Sequence, residues 1–528
     1  MLIDPPLAAS RLAAVENRNA LDACKTNIGG RSLAELRRVA RDELLAAALR
    51  HTRQYASPSW LPDSAGAAAQ IYLVGHQPEL FHPGVWLKNF VLDQLAKRAT
   101  TDGDSAVAVH VLIDNDIVGD VSISTPTGSM TEPDVEHVAL DRSQPAMPWE
   151  ERGICDLDFF QTAGERITRS AGSFVAHPLA EQLWSDVNVD EEPTTRLGTT
   201  LARMRHRMEL AWGLKTLEVP LSELCQTQAY RWLVAFLLTH LQQVHASCNT
   251  ALAEYRQLHR LRSPSHPMPD LAEKDGRWEA PLWIWTRDHS TRRPLYVEQR
   301  GTGLRLSDGA SWTSDLPTAD GDDLAPLVDG LEQLAASGVR IRPRALATTM
   351  FLRVFLSDYF IHGIGGAKYD QVTDCIIQDL FVVAPPAFAT VSGTRLLPVE
   401  MPTADAKALR AVDRQLRDWE FNPQRLINDD LPERIRNELE DLTARKRTLM
   451  QHRTTSDEVG TRHAKLQQLN TQMQALLRSR RDALWQQREQ IERGLQAKEI
   501  LGARDFSFCL YPESTLRPWL LGAVAEAT

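Results

Sequence analysis

The stretch YLVGHQPELFHPGVWLKNF, residues 72–90, crowds His76, Gln77, His82 and Lys88 around the junction of an apolar strand and a helix. Gly75, directly after the strand, lets the backbone approach a ligand closely. A helix N-terminus carries free N–H groups and a partial positive charge, so an anion is the natural guest. His76 and His82 could then donate to phosphate oxygens, with Lys88 adding a point charge one turn along. The same residues also fit a capped loop that carries ordinary surface histidines.

Two other stretches hold chemistry-bearing residues. AVAVHVLI (106–113) is an apolar strand broken by His110, and it runs into Asp114-Asn115-Asp116. Carboxylates there can hold an amine, hydroxyls or a divalent ion, or they can cap the next helix. Farther on, IHGIGGAKYD sets Gly365-Gly366 before Lys368, Tyr369 and Asp370. The paired glycines can cradle an anion or make a tight turn. No Walker A sequence, His-Glu-x-x-His, Gly-x-Ser-x-Gly or Cys-x-x-Cys is present, so P-loop, zincin, serine-elbow and thiol-redox readings have no support.

The elements that must position these groups follow from periodicity. Residues 1–69 form a helical N-terminal segment, with Ser32 and Glu35 in capping-box spacing before an apolar face. From 70 to 403 the pattern is α/β. Buried, near-continuous apolar strands argue for a parallel sheet covered on both faces, with ligands outside the strands' carboxyl ends. A helical insertion (155–262) and a small antiparallel meander (280–309) interrupt this core. Between 404 and 498, Leu466, Leu469, Met473, Leu476, Leu484, Ile491 and Leu495 approximate a 4-3 repeat, and Ile435, Leu439, Leu442 and Leu449 mark a first arm. An antiparallel coiled coil reversing at 451–463 is expected, with residues 499–528 as a tail packing on the core.

With 528 residues, 43% of them hydrophobic and 24% charged, the chain reads as a multi-domain globular protein. A net charge of −10 argues against a nucleic-acid partner held by charge. The N-terminal segment does not read as a signal peptide, and no apolar run approaches the ~18 residues of a membrane span. Six scattered cysteines are expected as free thiols in a reducing cytoplasm.

Taken in order, these stretches resemble the bacillithiol-biosynthesis cysteine-adding enzymes, the BshC family of cysteine ligases. The resemblance rests on Gly75-His76-Gln77, Leu80-Phe81 and Lys88, then on Asp114-Asn115-Asp116 after Ile113. It continues through Leu352-Arg353, Asp358-Tyr359 and Ile364-Gly365-Gly366 with Tyr369, and ends in the C-terminal hairpin. The family pattern has Gln where His76 stands, Gly-Gly where His82-Pro83 stands, and His where Asn115 stands. The opening HQPELFHP alone is also similar to the WbqC-like proteins, whose pattern the later motifs do not follow.

The resemblance implies a Rossmann-like core related to the HIGH-class nucleotidyltransferases and a homodimer formed through the coiled coil. It also implies amide formation between cysteine and the amine of a glucosamine-type acceptor, with ATP and Mg²⁺ as candidate co-reactants. His76, His82, Lys88, Asp114 and Asp116 would be catalytic. Gly75, Gln77, Phe81, Asn115, Arg353, Gly365, Gly366, Lys368 and Tyr369 would bind substrate or nucleotide. If His76 must be cationic, activity should fall as pH rises through the imidazole range. The other reading is a non-catalytic coiled-coil dimer that serves as a binding or scaffold protein.

Overall fold

A computed structural model describes residues 1–57, 60, 69–185, 196–301, 303–317, 319, 321–451 and 459–526. Six strands form the central sheet: β1 (Leu2–Asp4), β2 (Gln70–His76), β3 (Ala106–Leu112), β4 (Thr216–Pro220), β5 (Tyr359–His362) and β6 (Phe388–Ser392). Their order is β1-β6-β5-β2-β3-β4; all neighbours are parallel except β1, which runs antiparallel along β6. The fold is mixed α/β.

Burial on both faces explains the unbroken apolar runs. Ile71, Leu73, Val109 and Val111 point into one core, and Tyr72, Val74 and Ala108 into the other. The first core is closed by α2 (Leu33–Arg53), by helix Gln228–Thr239 and by α5 (Ile364–Phe381). The capping box expected at Ser32 and Glu35 starts α2. The second core is closed by α1 (Leu7–Asp22), α3 (Pro83–Thr101), α4 (Leu197–Ala211) and α10 (Glu513–Glu526). Trp86 of α3 packs 4.1 Å from Phe508 and 5.1 Å from Trp212, measured between ring centroids. The 499–528 tail therefore supplies part of this core, and truncating a Trp so placed costs about 3–5 kcal/mol.

The chain leaves β2 along one face through α3 and leaves β5 along the other through α5. Connections departing in opposite directions open a crevice beyond the carboxyl ends of β2 and β5.

Three expectations need correction. The 1–69 segment is not wholly helical: Leu2–Asp4 is β1, paired along β6 at the edge of the central sheet. The 155–262 region is not helical throughout: TLEVP, residues 216–220, is fully buried as β4, paired to β3 from Ala108–Thr216 to Leu112–Pro220. Five residues between helices carry too little periodicity to show this, and β3 supplies the partner. The β insertion is also wider than 280–309. Strands Thr313–Pro317, Gly303–Ser307, His289–Arg300, Arg277–Thr286 and Val339–Pro343 form one antiparallel sheet. Its last strand arrives only after helix Ala325–Ala336, a pairing no local pattern announces.

In the C-terminal arms, α6 (Ala406–Phe421) lies against α9 (Arg478–Leu501), and α7 (Glu433–Gln451) against α8 (Val459–Leu476). Both pairs run antiparallel. Arg488 donates to Asp413 at 2.8 Å and Gln474 to the Glu420 carbonyl at 2.8 Å, while Lys446 reaches Asn470 at 2.7 Å and Arg462 the Met450 carbonyl at 2.8 Å. Leu439, Leu442, Leu469, Met473 and Leu484 are buried between them, and Leu466, Leu476, Ile491 and Leu495 are half-buried. Neither arm is one continuous helix. The first breaks around Pro423–Leu426 and the second at Leu477. The expected reversal at 451–463 falls across residues 452–458, outside the described residues.

Candidate anion-binding site

His82 does not stand free at the start of α3. It is the N-cap, and its Nδ1 accepts the Gly84 N–H at 3.1 Å. Pro83 has no N–H, and the N–H groups of Val85 and Trp86 both go to the His82 carbonyl, at 3.0 and 3.3 Å. The N–H groups expected to receive an anion at this helix are therefore already used. Gly84 is required by packing: a Cβ there would lie 1.9 Å from the Gly393 carbonyl oxygen beyond β6. With Nδ1 accepting, only Nε2 of His82 is left to donate.

His76 is also not a cationic donor. The Asn89 amide gives Nδ2–H to Glu209 Oε1 at 2.8 Å, which turns Asn89 Oδ1 toward His76 Nε2 at 2.9 Å. The imidazole thus carries its proton on Nε2 and keeps a lone pair on Nδ1. Burial, then the charge of Lys88 and neighbouring His110, hold it well below the usual imidazole range. The expected loss of activity as His76 titrates through neutral pH has no physical basis here.

Behind His76 lies a buried polar cluster. Glu209 Oε1 receives Trp86 Nε1 and Arg205 Nη1, each at 2.5 Å. Arg205 also pairs with Glu218, which receives His110 at 2.6 Å. Burial alone would raise the Glu218 carboxyl, but Arg205, His206 and His110 together hold it well below its ordinary value. This cluster fixes the ring of His76 and the angle of α3.

Lys88 is the residue that lacks such support. It is 93% buried, from 7% exposure, and its ammonium has no hydrogen bond or ion pair among the described residues. Burial pushes it down to about 7. Its Nζ points at the N-cap of α5, where a Cβ on Gly363 would lie 3.5 Å away. The first N–H groups of α5, on Ile364, Gly365 and Gly366, have no partner among the described residues, because Gly363 has no capping side chain.

The third wall is His362, the last residue of β5. Its Nδ1 would lie 2.8 Å from a Cβ on Gly366, and its Nε2 lies 2.5 Å from Asp370 Oδ2. Three free N–H groups, a helix dipole, a buried ammonium and an imidazole converge at the crevice between β2 and β5. That arrangement can cradle an anion, at the α5 start rather than the α3 start.

The remaining sequence candidates divide. Gly365 and Gly366 contribute backbone, while Lys368 is exposed and Tyr369 turns to the far core near His266, centroids 6.3 Å apart. Arg353 is consumed: it bonds Asp370 and Asp374, both at 2.8 Å, and the Pro386 carbonyl. Asp114 accepts Ser222 N–H at 2.9 Å and Ser222 Oγ–H at 2.5 Å; burial and Glu150 raise its carboxyl to about 7. Asn115 donates to the Pro343 carbonyl at 2.8 Å and is structural. Asp116 is half-buried and bonds Gln77 at 2.8 Å and Arg292 at 3.0 Å.

Gly75 is tight against Ile113, whose Cδ1 would lie 3.2 Å from a Cβ there. Phe81 covers His76 at 5.1 Å. Gln77, Phe81 and His82 line a cavity of about 330 Å³ with Glu79, Ser122, Ser124, Asp505 and Ser507. Sequence reasoning missed His362 and the N–H of Ile364. The available signal was that neighbouring strands both bring a His to their carboxyl ends, His76 on β2 and His362 on β5.

Among the described residues, no group of three or more His, Cys, Asp or Glu is placed to hold a metal ion, and no helix is long and apolar enough to cross a membrane. No protein-family model and no curated protein sequence matches this chain.

Proposed function

We propose that this chain is a ligase-like enzyme that joins an amino acid, cysteine by the resemblance drawn from its motifs, to the amine of a glucosamine-type acceptor. The observation that carries the reading is the unpartnered Lys88 ammonium beside the free N–H groups of Ile364, Gly365 and Gly366. An amide-forming reaction starts from an anionic carboxylate and, where ATP activates it, passes through an acyl phosphate or acyl adenylate, from which the attacking amine displaces phosphate or AMP. Both anions suit the cradle. Lys88 and the α5 N–H groups would hold the anion, and the His82 Nε2 face would meet the group in the adjoining cavity.

Asp114, at the carboxyl end of β3, lies two strand spacings or about 10 Å from β5. With its carboxyl near 7 it is suited to take the proton released when the amine attacks. Gln77, Glu79 and Asp116 supply oxygen-rich contacts for an amine or hydroxyls at the rim. The cationic and N–H groups fit a nucleotide's phosphates. Mg²⁺ would be carried by those phosphates and has no role in this reading beyond that.

The sheet order and its two-sided helices support a Rossmann-like core. The antiparallel arms, with Phe421 and Trp485 exposed, support a coiled-coil homodimer. A cytoplasmic location fits thiols that are all free.

Purified protein incubated with cysteine and glucosaminyl-malate, with and without ATP–Mg²⁺, should give a cysteinyl adduct by mass spectrometry that Lys88→Met does not form. If folded protein gives no adduct and also fails to bind phosphate, pyrophosphate or cysteine, the ligase reading falls and the scaffold reading takes its place.

A further inference from the structure

Away from the anion cradle, toward the C-terminal end of α5, a cavity of about 160 Å³ lies where four elements meet. Cys248 comes from helix Leu241–Leu258, Trp283 from strand Arg277–Thr286, Met350 from helix Ala345–Met350 and Leu380 from α5. Met268 closes it from the connecting loop. A core packed at native density leaves few voids larger than a water, and unfilled volume costs stability. The size matches the apolar cavities of roughly 150 Å³ that take up benzene.

The lining is selective. Two thioethers, a thiol and an indole favour an aromatic ring over a branched alkane, because sulfur and ring edges attract aromatic faces. Arg344 edges the same space. Its guanidinium carbon lies 4.1 Å from the Trp283 ring centroid and its Nη2 is held by Glu279, yet its Nε is buried without a partner among the described residues. A buried donor left without an acceptor is unfavourable. Glu279 already neutralises the guanidinium, so a neutral acceptor suits Nε better than an anion.

We propose that this cavity binds a small, uncharged aromatic molecule on the scale of a phenol, its ring against Trp283, Met268 and Met350 and its oxygen accepting from Arg344 Nε–H. The site is separate from the anion cradle and does not depend on the ligase reading.

The test uses full-length protein carrying ¹³C-methyl methionine, titrated with phenol, toluene and 4-ethylphenol. Phenol should shift the Met268 and Met350 methyl signals saturably and bind several-fold more tightly than toluene, which lacks the acceptor. Cys248→Met fills the cavity and should abolish the shifts. Cys248→Ala enlarges it and should move the preference toward 4-ethylphenol. The absence of saturable shifts at millimolar phenol overturns the site. Equal affinity for phenol and toluene overturns the role of Arg344. If Cys248→Met does not fold, Cys248→Ala decides, and an unchanged preference between phenol and 4-ethylphenol defeats the proposal.

Discussion

Lys446 in the helical arms and Lys88 at the sheet edge are both buried, yet their surroundings handle them in opposite ways. Lys446 reaches Asn470 Oδ1 at 2.7 Å, Gln424 Oε1 at 2.9 Å and the Phe421 carbonyl at 3.3 Å, so each ammonium proton has an acceptor. It pins the break in the first arm to α8. Among the described residues Lys88 has no such oxygen, and it faces the positive end of α5. A charge that folding leaves unsatisfied is a liability to the free protein and an asset to one that binds an anion. The arms use their buried polar groups for architecture, and the sheet edge holds one in reserve.

The comparison breaks most sharply at Lys88 itself. Its pKa is 10.5 when exposed and about 7 when folded. Between those values the unfolded chain holds a proton that the folded chain lacks, so this group makes stability rise as pH climbs from about 7 to 10.5. Below pH 7 the full penalty is present, roughly 5 kcal/mol for a shift of this size. Lys88→Met should therefore be several kcal/mol more stable than wild type in urea at pH 6, with the gap closing toward pH 10.5. Phosphate or carboxylate affinity should fall about 100-fold in the same variant. Wild-type anion binding should also weaken as pH rises above 7. A stability gap that does not change with pH would sink this account of Lys88.

The buried cluster behind His76 should respond with the opposite sign. Glu209→Gln removes the charge that Arg205, Trp86 and Asn89 all address, and should cost about 3–4 kcal/mol. It also frees Asn89 to flip, so the His76 tautomer should change, which ¹⁵N chemical shifts of the ring would report. Lys446→Met comes next. It leaves Asn470 Oδ1 and Gln424 Oε1 without their donor, while the Phe421 carbonyl keeps Asn470 Nδ2–H, and should destabilise by about 2 kcal/mol, with no effect on anion affinity. A loss of binding in that variant would mean that the arms and the sheet edge are energetically coupled.

How much of this was legible in the sequence depends on the range of the interaction. Local signals carried the α2 capping box, β2, β3 and the arms, because caps and apolar periods are set by near neighbours. β4 and the strand Val339–Pro343 were not legible, since each is defined by a partner far along the chain. At the site, the structure sets Lys88 beside the start of α5, where Gly365 and Gly366 lie. The two histidines of the opening motif change roles: His82 caps its own helix, and His76 is clamped by Asn89. Composition cannot reveal that an N-cap imidazole uses up the N–H it seems to offer. Nor can it reveal that Gly363, by lacking a cap, leaves the N–H groups of α5 free.

The smallest predicted effect is also the one that isolates the cradle. Gly365 and Gly366 sit side by side in the first turn of α5, both exposed. A Cβ on Gly365 would meet nothing within 4 Å, whereas one on Gly366 would lie 2.8 Å from His362 Nδ1. Alanine gains up to about 1 kcal/mol over glycine in a helix, so Gly365→Ala should stabilise modestly and leave anion affinity unchanged. Gly366→Ala gains the same propensity but must displace the imidazole, which Asp370 holds from the other side. Its net stability should stay within about 1 kcal/mol of wild type, while phosphate affinity falls several-fold. Both variants keep every backbone N–H, so a difference between them isolates His362. Equal affinities would remove His362 from the cradle and leave Lys88 and the α5 N–H groups to hold the anion alone.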